Sequence, residues 1–305
     1  MRVGLIDVDG HHYPNLALMK LSAYHKANGD EVEWYMPFSD RYDVVYKSKV
    51  FAFTPNYLDH INADKIISGG TGYEIELVDG KEVHHNTGNI LPYEVEHIYP
   101  DYSIYNITDT AYGFLSRGCP RGCSFCHVAS KEGRKSVKVA DLSEWWNGQK
   151  NIVLMDANIL ACKDYRELLY QLQDSKAYVD INQGLDARLM TRDKAEMLSG
   201  IKMKEVHFAW DRYNEQKKVL RGLDLFSEFG NKIPIKNRIV YVLCNYDTTI
   251  EQDLERIYTL RDMGYWAYVT IYDKPHCDNI YKKLSRWVNN RFIFAQCERF
   301  EDYKG

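Results

Sequence analysis

The chain has 305 residues, of which 45% are hydrophobic and 27% charged, a balance that excludes a disordered chain and supplies a sizeable core. Lys and Arg number 39 against 43 Asp and Glu, a formal net charge of −4, so no global basic field marks a nucleic-acid binder. No apolar stretch approaches membrane-spanning length, and Met1-Arg-Val-Gly-Leu-Ile-Asp7 starts as a strand rather than a targeting peptide, so a reducing cytoplasm is the expected setting.

In chain order, Val3–Val8 predicts a strand. Pro14–Asn28 predicts a helix, with Leu16, Met19, Leu21 and Tyr24 at helical spacing, Pro14 near its start and Gly29 just past its end. Glu31–Tyr35 predicts a strand, Val44–Phe53 one or two more, and Lys65–Ser68 another, the last running into Gly69-Gly-Thr-Gly-Tyr73. Residues 1–73 therefore predict a small Rossmann-like α/β domain. Residues 74–110 are polar and turn-rich and predict an irregular linker.

From Ala111 the pattern becomes strand then helix, about six times. Strands are expected at Gly113–Ser116, Ile152–Asp156, Tyr178–Asn182, Glu205–Trp210, Arg238–Asn245 and Trp266–Tyr272. Helices are expected near 140–147, 164–175, 191–199, 213–229, 250–263 and 278–289, with Gly264 as a C-cap. This alternation predicts a parallel sheet with helices outside it, and six units predict a partial (β/α)6 barrel over 111–290 followed by a C-terminal tail, 291–305. The segments after the expected strands carry Asp156-Ala-Asn158, Asn182-Gln-Gly-Leu-Asp-Ala-Arg188, Trp210-Asp211-Arg212, Cys244-Asn-Tyr-Asp247 and Tyr272-Asp-Lys-Pro-His276. In parallel α/β barrels such strand ends form the active site. Acidic and amide residues there also serve as helix N-caps, the bland alternative for each.

The most informative run follows the first of these strands: Arg117-Gly-Cys-Pro-Arg-Gly-Cys-Ser-Phe-Cys-His127. Cys119, Cys123 and Cys126 put three thiolates in one short loop, enough to hold three irons of a [4Fe–4S] cubane and leave the fourth open. Clusters that only carry electrons normally have four cysteine ligands. Gly118 and Gly122 allow positive φ and close backbone approach, Pro120 stiffens the turn, Phe125 can cover the cluster, and Arg117 and Arg121 offer positive charge beside it. Zinc on the three cysteines plus His127 is a weaker reading, because tetrahedral zinc usually draws on two separated pairs. A disulfide framework is weaker still, with an odd total of seven cysteines.

The loop resembles the cluster motif of the radical S-adenosylmethionine (SAM) superfamily, including the aromatic Phe125 directly before the third cysteine. The strand–helix order over about 111–290 resembles the partial barrel of that superfamily, with the cluster loop after the first strand. The resemblance implies a [4Fe–4S] cluster on Cys119, Cys123 and Cys126 and SAM chelated at the open iron. It also implies an external electron donor such as flavodoxin or ferredoxin, and hydrogen-atom abstraction from a substrate that the sequence does not identify. The family's common Gly-Gly-Glu after the second strand is absent; Asp156 and Asn158 stand there and can accept from the SAM ammonium. Arg188 is the guanidinium placed for the SAM carboxylate, Asn182, Gln183 or Asp186 for the ribose hydroxyls, and Val242–Cys244 for the adenine.

Residues 1–73 resemble the cobalamin-binding domain that precedes the radical domain in one branch of the superfamily, with Gly69-Gly70 as the likeness. The unit is short and lacks the Asp-x-His-x-x-Gly motif, so a reduced domain without cobalamin is expected. Cys162, Cys244, Cys277 and Cys297 are scattered and are expected to be ordinary thiols. Competing functions are a cobalamin-dependent methyltransferase, a methylthiotransferase-like tRNA modifier, and a non-catalytic binding protein stapled by metal in the cysteine loop.

Overall fold

The computed structural model describes residues 1–78, 81–85, 90–229 and 233–305; positions 79–80 and 86–89 of the expected linker lie outside the described residues. The chain divides into two compact units, Met1–Ile152 and Val153–Gly305. Both are mixed α/β, with parallel sheets, and among the described residues no closed barrel forms. No described helix is long and apolar enough to cross a membrane.

The N-terminal unit opens with strand β1 (Arg2–Asp7), helix α1 (Leu16–Ala27), and strands β2 (Glu31–Trp34), β3 (Tyr42–Ser48) and β4 (Ala63–Gly69). The four strands are parallel in the order β2-β1-β3-β4. Helix α1 starts where Asn15 accepts from the Leu18 amide (3.2 Å) and donates through Nδ2 to Ser48 Oγ (2.8 Å), which ties the helix start to the end of β3. Leu18 and Leu21 of α1 bury themselves against Val3, Leu5 and Val44 on one face of the sheet, while Ile6, Tyr42, Val45 and Ile61 form a second cluster. The expected strand Val44–Phe53 stops at Ser48, because the chain then turns and the Val50 amide donates to Asp9 Oδ2.

Residues 74–110 are more ordered than the composition implied. Helix α2 (Thr71–Glu74) leads into an antiparallel pair, β5 (Ile75–Val78) and β6 (Lys81–His84), followed by helix α3 (Tyr93–Glu96) and a 3-10 turn at Tyr102–Tyr105. This segment is anchored on α1: Ser22 Oγ donates to Asp101 (2.7 Å) and Lys20 pairs with Glu96 (3.1 Å). Strand β7 (Thr110–Gly113) precedes β8 (Ser116–Arg117), helix α4 (Val128–Lys131) and β9 (Val137–Lys138), and β10 (Asn151–Leu154) runs across the division between the units. The helix expected over 140–147 is only a 3-10 turn, Leu142–Glu144, cut short by Asn147-Gly148.

The C-terminal unit continues with α5 (Tyr165–Ser175), β11 (Tyr178–Ile181), α6 (Arg192–Ser199), β12 (Val206–Trp210), α7 (Gln216–Phe229), β13 (Arg238–Cys244), α8 (Ile250–Asp262), β14 (Trp266–Ile271), α9 (Asn279–Asn289) and α10 (Arg291–Gln296). Strands β12, β13 and β14 are parallel in chain order, with Phe208 beside Val240 and Val240 beside Ala267. Isolated parallel bridges, Tyr178 with Lys202 and Leu185 with Phe208, link the flanks of β11 and β12, where the Val179 amide donates to Lys202 O (2.8 Å) and the Leu185 amide to His207 O (2.7 Å). Alternate residues Val206, Phe208, Val240, Val242, Ala267 and Val269 are buried, and α8 and α9 pack on β13 and β14. The residues between them form a polar and aromatic row: the His207 and Tyr241 rings stack at 5.4 Å, and Tyr241 meets Tyr268 edge-on at 5.8 Å. The tail covers the outer strand, where Phe294 packs on Trp287 and Trp266 and the Trp287 indole donates to Cys297 O (3.0 Å).

Candidate functional site

The cysteine loop lies in the N-terminal unit and is closed at its base by the pairing of β8 with β9, Ser116 beside Lys138 and Arg117 beside Val137. The Cys119 amide donates to Gly133 O (3.1 Å), and the Gly118 amide to Glu132 Oε2 (3.0 Å). The Cys126 amide donates back to Cys123 O (3.1 Å), a tight turn that brings the last two cysteines together. Gly118 sits at φ +89°, where a Cβ would overlap the Lys135 carbonyl, and Gly122 at φ +57°, where a Cβ would lie 2.9 Å from the Arg134 guanidinium. The three cysteines and Phe125 are half-buried.

Burial pushes the Cys126 thiol up to about 11, and the neighbouring Cys123 and Cys119 add to the shift by repulsion. Cys119 and Cys123 thus lie close enough to oppose ionisation of Cys126, and a cation that neutralises the thiolates would displace their protons. Among the described residues no three His, Cys, Asp or Glu side chains converge on a single-ion position. A cubane asks for something else, one thiolate for each of three irons. Three cysteines in one short loop, with Cys119 and Cys123 both acting on Cys126, fit that group.

Two neighbours differ from expectation. Arg117 stacks on Phe114 (3.9 Å) and pairs with Glu96 (3.2 Å) and Glu132 (3.3 Å), so it braces the base of the loop. The guanidinium packed against the loop at Gly122 is that of Arg134, which the sequence reading did not single out. His127 Nδ1 lies 2.5 Å from Glu82 Oε2. The remaining cysteines behave as small buried or half-buried thiols: Cys162 is 2% exposed, Cys244 donates to Val242 O (3.7 Å), Cys277 to Lys274 O (3.3 Å) and Cys297 to Arg299 O (3.2 Å).

The strand-end residues lie in the C-terminal unit. Asp186 caps the 3-10 turn Ala187–Leu189 by accepting from the Arg188 amide (3.2 Å). The Arg188 guanidinium returns to the same carboxylate in a fork, Nε to Oδ1 at 2.6 Å and Nη2 to Oδ2 at 3.1 Å, and its Nη1 bonds Glu215. Asn158 Nδ2 approaches Asp186 Oδ2 at 3.4 Å. Burial works against the Arg188 charge, but the bonds and charges of Asp186 and Glu215 outweigh it and raise its pKa. Beside this cluster, Asp211 at the end of β12 is pushed up to about 6, first by burial and also by Asp186 and Glu215, against the pull of Arg188 and Arg256. Asn158, Asp186 and Arg188 are therefore one cluster, extended by Glu215 and Asp211. Asp156 is buried after β10. Asn182 and Gln183 bond each other (3.1 Å), and the Asn182 carbonyl accepts from the Tyr241 hydroxyl (3.3 Å). Glu215 carried no sequence signal, because it reads as an ordinary acid in the first turn of a helix.

No protein-family model matches the chain. A stretch of 101 residues, 32% of the chain, is 37% identical to a protein described as ribosomal protein uS12 methylthiotransferase RimO, from Stenotrophomonas maltophilia. The alignment spans 19% of that relative, so the likeness is confined to about a third of this chain and a fifth of the other.

Proposed function

We propose that this chain is a radical SAM enzyme of the cytoplasm whose Cys119, Cys123 and Cys126 hold a [4Fe–4S] cluster. The observation that carries the reading is the loop itself, in which Cys119 and Cys123 both act on the Cys126 thiol and two glycines at positive φ let the loop backbone pack tightly on Lys135 and Arg134. The partial likeness to a methylthiotransferase supports it. The finer fold we infer is a partial (β/α)6 barrel over 111–290, preceded by a reduced cobalamin-binding-like unit that takes no corrinoid. The bound cluster and SAM would supply reductive cleavage of the sulfonium and a 5′-deoxyadenosyl radical that abstracts hydrogen, with the electron from a donor of flavodoxin or ferredoxin type. The chain's own part is to hold and orient. The three thiolates bind iron, Phe125 shields them from bulk water, and Arg134 sets a positive charge against the loop. A second reading, methylthio transfer, is favoured by the description of the relative.

For SAM we assign the ammonium to Asp156 and Asn158, the ribose to Asn182, Gln183 or Asp186, and the carboxylate to Arg188. Arg188 would keep its fork on Asp186 and exchange Glu215, the more exposed of its two partners at 26% against 6%, for the SAM carboxylate. SAM titration of the anaerobically reconstituted protein, followed by electron paramagnetic resonance, tests this. Arg188→Ala is expected to weaken SAM binding by roughly ten- to a hundredfold, the loss of one charge-assisted pair, with the cluster intact. Arg188→Lys recovers only part of the loss, since a point charge cannot reproduce the fork. Unchanged affinity with lower thermal stability would make Arg188 a brace for Asp186 and refute the assignment.

A further inference from the structure

A cavity of about 790 Å3 opens in the N-terminal unit, within the size range of small-molecule sites. Ser48, at the carboxyl end of β3, and Gly69 and Gly70, at the end of β4, form one side. Open α/β sheets take ligands at the carboxyl ends of their strands, and here the ends of β3 and β4 line the cavity while, among the described residues, none of β1 does. Leu18 and Leu21 of α1, with Ile67, Val95 and Val139, make an apolar wall.

The charges around the cavity are unequally satisfied. Its three carboxylates are engaged: Glu74 by His84 (2.9 Å), Glu96 by Lys20 (3.1 Å) and Arg117 (3.2 Å), and Glu132 by Arg117 (3.3 Å) and the Gly118 amide (3.0 Å). The two lysines that line it, Lys47 and Lys131, form no ion pair among the described residues. Lys131 donates to the Thr71 hydroxyl, and Lys47 lies 5.7 Å from the centre of the Tyr73 ring. Glu132 and Glu74 act on Lys131 at longer range, but its hydrogen bond goes to a neutral hydroxyl, and a charge-assisted bond to an incoming anion would be the stronger partner.

We propose that this cavity binds an organic anion with an apolar or aromatic body. The body lies on the wall of Leu18, Leu21, Val95 and Val139, and the anionic group meets Lys131 and Lys47. Arg117 and Glu132, which brace the cysteine loop, form part of the same wall, so the ligand sits against the supports of that loop. The inference stands on the cavity alone and does not depend on what the cysteines hold.

Two dyes of similar shape test it, the anionic anilinonaphthalene sulfonate and the neutral N-phenylnaphthylamine, titrated by fluorescence into the 305-residue chain. The anionic dye is expected to bind one saturable site more tightly than the neutral one. Lys131→Met should weaken the anionic dye by roughly tenfold, the size of one lost charge-assisted hydrogen bond, and leave the neutral dye unchanged. Lys47→Met should act in the same direction and carries the test if Lys131→Met does not fold. Affinity for the anionic dye that survives both substitutions would overturn the proposal. So would affinity lost instead in Phe53→Ser, which alters the exposed stacked pair Phe51 and Phe53.

Discussion

Cys119→Ala, Cys123→Ala and Cys126→Ala are each expected to abolish the SAM-responsive iron–sulfur signal of the reconstituted protein, while Cys162→Ala and Cys297→Ala leave it intact. Three thiolates are the minimum set for a cubane with one open iron, and the loop offers no spare cysteine. The change also removes a ligand from a closed loop whose backbone is fixed independently, by Cys119 to Gly133 and Gly118 to Glu132, so the fold itself should survive. Iron and sulfide analysis with visible absorption checks this on each variant. A triple loop variant that still binds about four irons, the full cubane content, would move the cluster elsewhere in the chain.

Arg256→Met is expected to be the most destabilising single change in the C-terminal unit. Arg256 and Asp253 are both fully buried and pair at 2.5 Å within α8. The guanidinium also donates to Trp210 O (2.6 Å) at the end of β12 and to Leu243 O (2.7 Å) near the end of β13, while Asp253 accepts from the Asn245 amide (3.3 Å). One side chain therefore fastens the carboxyl ends of two parallel strands to the helix outside them. Removing one member of a buried pair leaves the other charge unpaired, at about 3–5 kcal/mol, and here two strand carbonyls lose their donor as well. For a unit of this size the thermal midpoint should fall by roughly 6–20 °C. The pair Arg256→Met with Asp253→Leu should recover much of the loss, because an apolar replacement of both partners leaves no orphan charge. Thermal unfolding followed by circular dichroism decides it; a midpoint unchanged in Arg256→Met would mean that the latch contributes nothing.

The contrast between these two sites explains what the sequence made legible. The cysteine loop is local: its spacing and its two glycines can be read within ten residues, and the structure gives both glycines positive φ. Strands β12, β13 and β14 were legible because one face of each is buried in alternation. Arg256 was not, because an arginine in a helix reads as solvated unless its partners are known, and Trp210 lies 46 residues away. The bracing role of Arg117 was not legible for the same reason, since its partner Glu96 comes from a polar, turn-rich segment 21 residues away. That segment hid its order because β5 and β6 are only four residues each and find their pairing only in each other.

Formation of 5′-deoxyadenosine tests the central claim most directly. The reconstituted, dithionite-reduced protein should convert SAM into 5′-deoxyadenosine and methionine in equal amounts, and the three cysteine variants should form neither. A protein carrying a complete cluster that leaves SAM intact under reduction, or one that takes up zinc in the loop and stays silent in paramagnetic resonance, would contradict the account.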